Sequence, residues 1–202
     1  MATDATVCDD NEMVSDILAG ESASFRRIVE KYQKPLYDLA FRMTGNVEDA
    51  QDILQTSFIK MYSSLKDYDA LRSFRNWAYT IVLNQTRSHL RRKALLRFLP
   101  FSGGGEEESG ELDIADNSQN TENAVAWRQL LRDLEKNLLK LPPELREPFI
   151  LYHFHNITVE NMAAQLGISR NAVHIRLSRA RTALFKNMPA LASSHGGVYE
   201  TR

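Results

Sequence analysis

From residue 101 to residue 123 the chain reads FSGGGEEESGELDIADNSQNTEN, with three consecutive glycines, a run of glutamates and almost no large apolar side chain. Ordering such a stretch costs more conformational entropy than its few apolar groups return, so it predicts a tether and not a packed element. The limit this sets on the fold is strict. In a chain of 202 residues it leaves two pieces, each long enough to close only a small core.

On both sides of the tether apolar residues recur at three- and four-residue steps, and nothing alternates as a β-hairpin would. The spacing predicts helices over 12–18, 22–43, 48–65 and 74–93 before the tether, and over 123–139, 143–154, 158–166 and 169–186 after it. Pro35 is expected to interrupt or bend the second helix, and Gly45 with Asn46 to stop it. The fold class expected is all-α, two small helical domains joined by a flexible acidic linker.

The formal net charge of -1 hides a sorted distribution. Residues 1–69 carry a net of -6, and residues 72–93 carry six bases (Arg72, Arg75, Arg87, Arg91, Arg92, Lys93) and no acid. Residues 94–124 return to -6, and residues 125–202 stand at +5. Basic zones are the electrostatic footprint of phosphate contacts, whereas the acidic ones must face something else. No apolar run approaches the roughly 18–20 residues of a membrane span, and the acidic start MATDATVCDDNEM is unlike a secretory signal. A cytoplasmic location without membrane insertion is expected. Cys8, the single cysteine, is read as a free thiol, and His153 and His155 as packing or hydrated side chains; no metal and no cofactor are implied.

The C-terminal pattern is the most specific. Thr158 is a good N-cap, Val159, Met162, Ala163 and Leu166 fall on one face, and Gly167 ends the helix where a left-handed residue is needed. Ser169 caps the next helix, in which Val173, Leu177, Ala180 and Leu184 lie within about 60° of one another at 100° per residue. The opposite side then presents Asn171, Ile175, Ser178, Arg179 and Thr182, flanked by Arg170, His174, Arg176 and Arg181, with no acid between Ser169 and Lys186. Two short helices around a glycine turn, the second basic and outward, form a helix-turn-helix. Its Arg and Asn side chains suit base edges, and Ile175 suits a thymine methyl. In the first half, Glu48, Asp49, Asp52 and Gln55 gather near a helix start, which macrodipole stabilisation would equally explain.

The strings GNVEDAQDILQTSFIKMYSSL, FRNWAYTIVLNQTRSHLRRK, LPPELREPFILYHF and LGISRNAVHIRLSRARTAL, in this order, resemble a bacterial sigma factor of the sigma-70 family, of the small extracytoplasmic function (ECF) type. The resemblance implies five parts: a tail and short helix over 1–21, a sigma-2 domain over 22–93, an acidic Gly-rich linker over 94–124, a sigma-4 domain over 125–186 and a C-terminal tail over 187–202. It implies that Asp49, Asp52 and Gln55 dock on the clamp coiled coil of core RNA polymerase. The -10 element of promoter DNA would be read and opened by Tyr68, Arg72, Phe74, Arg75, Asn76, Asn84, Arg87, Arg91 and Arg92. Aromatic rings and amides suit unstacked bases, while Trp77 is read mainly as core. Sigma-4 would dock on the polymerase flap and read the -35 element through Arg170, Asn171, His174, Ile175, Arg176, Ser178 and Arg179. Asn171, His174 and Ile175 depart from the residues usual in the family, so the -35 preference is expected to lie there.

The family also implies an anti-sigma factor as a partner. Glu106, Glu107 and Glu108 would place negative charge in channels that later hold RNA, or else solvate a tether. A stand-alone helix-turn-helix regulator shares the C-terminal signal, but it calls for a dimerisation or sensing domain where a second basic helix stands. An enzyme acting on nucleic acid would need convergent carboxylates or a nucleophile with its base, and the sequence offers neither.

Overall fold

The computed structural model describes residues 4–97 and 122–188, which form eight α-helices, with no strand among the described residues. Residues 98–121, and with them Glu106, Glu107 and Glu108, lie outside the described residues, as do the ends of the chain and the side chain of Cys8. The chain divides into two compact units between residues 109 and 110.

In the first unit α1 (Asp4–Leu18), α2 (Ala23–Thr44), α3 (Val47–Ser64) and α4 (Phe74–Arg97) pack around one core, with a 3-10 turn at Leu65–Asp67. Helix α2 buries Ile28, Tyr32, Leu36, Leu39 and Met43, a three- and four-residue stripe that meets Ile53 and Met61 of α3 and Val82 and Leu83 of α4. Pro35 lies inside α2 and does not end it, because burial of that stripe outweighs the single backbone hydrogen bond a proline forgoes. Gly45 does end it, at φ 71°, and donates its N–H to the Phe41 carbonyl at 2.7 Å. One residue later the Asn46 side chain accepts from the Asp49 N–H at 2.8 Å and starts α3.

Two helix limits differ from expectation. Helix α1 begins at Asp4 and not near residue 12, because Asp10 buries its carboxylate against Tyr32 and Lys31 of α2 and so gives the acidic start a partner. Helix α4 continues to Arg97 past the expected end at residue 93, and its last turns expose Leu95 and Leu96.

The second unit packs α5 (Glu122–Lys140), α6 (Pro143–His153) and α7 (Val159–Leu166) against α8 (Arg170–Asn187). Arg146 of α6 is buried and its Nη2 donates to the Leu139 and Leu141 carbonyls at 2.6 and 2.9 Å, satisfying groups left over where α5 ends. Burial lowers the Arg146 pKa, an effect that neighbouring Glu147 opposes. His155 is buried and the His153 ring lies 4.4 Å from that of Phe149, so both histidines pack, as expected.

Helix α7 has only eight residues, so its ends matter more than its propensity. Thr158 accepts from the Asn161 N–H at 3.3 Å, and Gly167 at φ 66° lets the Ile168 N–H reach back to the Ala163 carbonyl at 3.0 Å. A Cβ on Gly167 would meet no atom within 4 Å, so the cost of replacing it is conformational and not steric. Gly167→Ala should therefore lower the stability of this unit by only about 1 kcal/mol, read by urea unfolding of the intact chain. A loss of several kcal/mol would mean that the turn has a contact this account omits.

Candidate nucleic-acid interface

The helix-turn-helix places its side chains as the sequence predicts. Val173, Leu177, Ala180 and Leu184 are buried, whereas Arg170, Asn171, His174, Ile175, Ser178 and Arg179 are exposed and Arg176 is half-buried. Ile175 retains 43 % exposure on the face opposite the buried stripe, an apolar side chain set among polar ones. Ser169 accepts from the Ala172 N–H at 3.1 Å and fixes the helix start. Arg170 stands 3.7 Å from Glu160 of α7 with both side chains largely exposed, a pairing worth at most about 1 kcal/mol and readily exchanged for a phosphate.

In the first unit the expected -10 residues separate into three groups. Asn76, Asn84, Arg87 and Arg91 fall within about 80° around α4 at 100° per residue, together with Thr80, and form an outward stripe. Asn84 accepts from Arg87 Nη1 at 3.3 Å, and Arg91 Nη2 donates to Ser88 at 3.4 Å, so the stripe is held by weak polar contacts a nucleic acid could replace. Arg72 is exposed beside Asp69 at 3.3 Å, and Arg75 packs its guanidinium 5.2 Å from the Tyr79 ring.

Phe74 belongs to the second group and requires a correction. It retains only 1 % exposure and sits among Tyr32, Tyr68 and Trp77, with ring centroids 5.5, 5.5 and 5.3 Å away. Its position beside an open loop suggested a base-stacking ring, but the ring closes the core beneath that loop. Tyr68 is half-buried, stacked obliquely on Trp77 at 5.2 Å, and its hydroxyl reaches Asn11 Oδ1 at 2.9 Å and the Arg72 carbonyl at 2.5 Å. Burial, with Asp10 and Asp69 nearby, pushes the Tyr68 pKa up to about 12, so the hydroxyl keeps its proton at neutral pH. Tyr32 is raised too, by burial first and then by its hydrogen bond to Asp10. Trp77 is half-buried, so part of its ring stays available at the surface.

Arg92 forms the third group. It lines a groove of about 290 Å³ between α3 and α4, shared with Asp52, Thr56, Gln85, Ser88 and His89, and so stands apart from the outward stripe.

The acids of α3 divide as well. Asp52 and Gln55 are exposed, followed along the helix by the exposed Ile59 and Tyr62, which makes a mixed polar and apolar surface. Asp49 is different: only 17 % of its side chain is exposed, and Lys93 Nζ and His89 Nε2 of α4 lie 2.7 and 3.0 Å from its oxygens. Its carboxylate is already engaged within the fold, so the expectation that it is presented outward for a partner is corrected; of the two acids only Asp52 is exposed. A His and Lys four residues apart on α4 signal a shared face, but nothing local reveals as their partner an acid more than one helix earlier in the chain. Sequence reasoning also missed Asp10 and Asn11 altogether.

No helix among the described residues is long and apolar enough to cross a membrane. Residues 28–95 match the family described as Sigma-70 region 2, and residues 131–184 match Sigma-70, region 4. The ECF RNA polymerase sigma factor SigW of Bacillus subtilis is 30 % identical, over 87 % of this chain and 94 % of its own length. The RNA polymerase sigma-H factor of Pseudomonas aeruginosa is 27 % identical, over 90 % and 95 % of the two chains. Among solved structures, CnrH in complex with the cytosolic domain of CnrY has a TM-score of 0.63 at 25 % identity and covers 93 % of this chain and 99 % of that one. A sigma factor RpoE bound to the anti-sigma factor NepR, from Bartonella quintana, has a TM-score of 0.62 at 20 % identity over 82 % and 96 %, and supports the fold. With both regions matched in order, and a relative of this identity aligned over nearly its whole length, the chain belongs to the sigma-70 family of RNA polymerase sigma factors, in its ECF branch.

Proposed function

We propose that the chain acts in the cytoplasm, binding core RNA polymerase through the exposed face of α3 and carrying it to promoters with two elements. The -35 element is read in the major groove by the exposed face of α8, and the -10 element is read and opened by the outward stripe of α4 with the loop before it. It carries out no chemistry of its own; the polymerase supplies the active site. The observation that bears most of the weight is the acid-free face of α8, which exposes Arg170, Asn171, His174, Ile175, Ser178 and Arg179 opposite a continuous buried stripe. Cationic and amide side chains at consecutive turns can meet phosphates and base edges together, and the absence of acids removes the usual electrostatic penalty.

On α3, Asp52 and Gln55 beside Ile59 and Tyr62 offer charge for a basic partner and apolar area for burial. Asp49 acts indirectly, holding α4 against α3 through Lys93 and His89. An anti-sigma partner is part of the proposal, supported by the CnrH structure, whose partner is the cytosolic domain of CnrY.

A stand-alone operator-binding dimer would differ in one measurable respect. Footprinting of the chain alone and of the chain with core polymerase, on the same DNA, separates the two readings. Protection at two short elements only with polymerase supports the proposal, whereas protection of a palindrome by the chain alone contradicts it.

A further inference from the structure

Asn11 of α1 makes a two-sided contact with the loop that precedes α4. Its Nδ2 donates to the Ala70 carbonyl at 3.1 Å, and its Oδ1 lies 2.9 Å from the Tyr68 hydroxyl. The orientation of the amide follows from chemistry: a carbonyl can only accept, so the NH2 must face Ala70 and the oxygen must face Tyr68. The Tyr68 hydroxyl has one proton, offered to Asn11 and to the Arg72 carbonyl in turn. Three points of the loop thus converge near one side chain more than fifty residues away in sequence.

The other half of the arrangement fixes α1 itself. Asp10, at 2 % exposure, takes the Tyr32 hydroxyl at 2.6 Å and Lys31 Nζ at 2.8 Å, which sets the rotation of α1 on α2 and hence the direction of Asn11. The Tyr68 ring packs on Phe74 and Trp77 at the base of the loop, but past Tyr68 and beyond the anchors the bracing seen is local, the Leu71 N–H donating to Asp69 Oδ1 at 3.0 Å. At its tip Leu71 is 97 % exposed, next to the exposed Arg72. A loop without a core of its own would sample many conformations, so a distant bidentate anchor is the means by which its tip acquires one.

We infer that Asn11 is a positioning residue for promoter selection: through its amide, α1 holds the loop Tyr68–Ser73 so that Leu71 and Arg72 meet the -10 bases in one register. The inference rests on the proposed reading that this loop faces the -10 element. A brace of this kind acts on discrimination more than on binding. If the loop is released, contacts to the preferred base and to a wrong base become more alike, while polymerase contacts on α3 are untouched.

The test uses the full chain with core polymerase, on a promoter selected from a randomised library and on the same promoter with single-base changes in its -10 element. Open-complex formation is measured for wild type, Asn11→Ala, Asn11→Asp and Leu71→Ala. Asn11→Asp is nearly isosteric but sets a carboxylate oxygen against the Ala70 carbonyl, replacing a hydrogen bond by repulsion. It should reduce discrimination between the parent and altered elements about tenfold, the effect expected of one such polar contact, and Asn11→Ala less. Affinity for core polymerase, and initiation on a template already mismatched open at the -10 element, should stay within about twofold.

If Leu71→Ala lowers discrimination and both Asn11 variants keep it, the positioning role is overturned and the loop reading stands. If all three keep it, the loop is not the reader and both fall. A uniform loss across every promoter, with unchanged ratios, would make Asn11 merely structural and also overturn the inference. Should an Asn11 variant melt near the assay temperature, Tyr68→Phe gives a second readout, since it retains the ring and removes the hydroxyl from both Asn11 and the Arg72 carbonyl; unchanged discrimination there overturns the inference as well.

Discussion

Phe74→Ala should destabilise the first unit by about 3–5 kcal/mol, most of the stability a small domain possesses. The ring is fully buried and meets three other aromatic rings, so truncation loses transfer energy, leaves a cavity and removes ring contacts worth about 0.5–1.5 kcal/mol each. Promoter opening would fail with it, which a base-contact role for Phe74 would also predict. Phe74→Leu separates the two, because it keeps most of the volume while losing the ring contacts, and so should cost about 1–3 kcal/mol, less than the truncation. We expect Phe74→Leu to fold, by circular dichroism melting, and to open promoters at near wild-type rates. A well-folded Phe74→Leu protein that cannot open DNA would restore the ring to the interface.

The second large effect divides neighbouring positions on α8. Leu177 is buried and Arg179, two residues on, is exposed. Leu177→Ala should cost about 2–5 kcal/mol and lose -35 recognition because the unit unfolds. Arg179→Ala should leave the unfolding transition within about 0.5 kcal/mol of wild type and still weaken use of the -35 element by about 1–3 kcal/mol, tenfold or more. Denaturant unfolding and initiation rates on promoters with and without the -35 element, measured on the same two proteins, check the pair. Equal behaviour in both assays would contradict the assignment of faces.

These two cases also mark what the sequence makes legible. The face of α8 follows from local rules: a serine cap, a glycine turn and a stripe at 100° per residue need no knowledge of the rest of the chain. Pro35 reads as an interruption by the same rules, yet the buried stripe running past it keeps α2 whole. Phe74 is misplaced because an aromatic residue after a loop satisfies a core and an unstacked base equally well, and only the neighbouring rings of Tyr32, Tyr68 and Trp77 decide.

Asp49 fails for a related reason. Acids at a helix start suit the macrodipole, a partner protein or a buried ion pair alike, and the last depends on His89 and Lys93 arriving from α4. Asp10 and Asn11 were invisible because their partners lie 22 and 57–59 residues away, a separation on which no periodicity bears. The features legible from sequence are those set within one or two helical turns. The features that needed coordinates are the polar contacts between elements, and those determine which charged groups remain available for a partner.

The central claim is that this chain gives core RNA polymerase its promoter preference, and reconstituted transcription tests it most directly. Core polymerase, with and without the purified chain, is given a library of promoters randomised at both elements, and the transcripts are sequenced. The account predicts transcripts that depend on the chain, start at a fixed distance downstream of two enriched elements, and disappear with Arg179→Ala at the upstream element first. An unchanged transcript population when the chain is added at saturating concentration would contradict it.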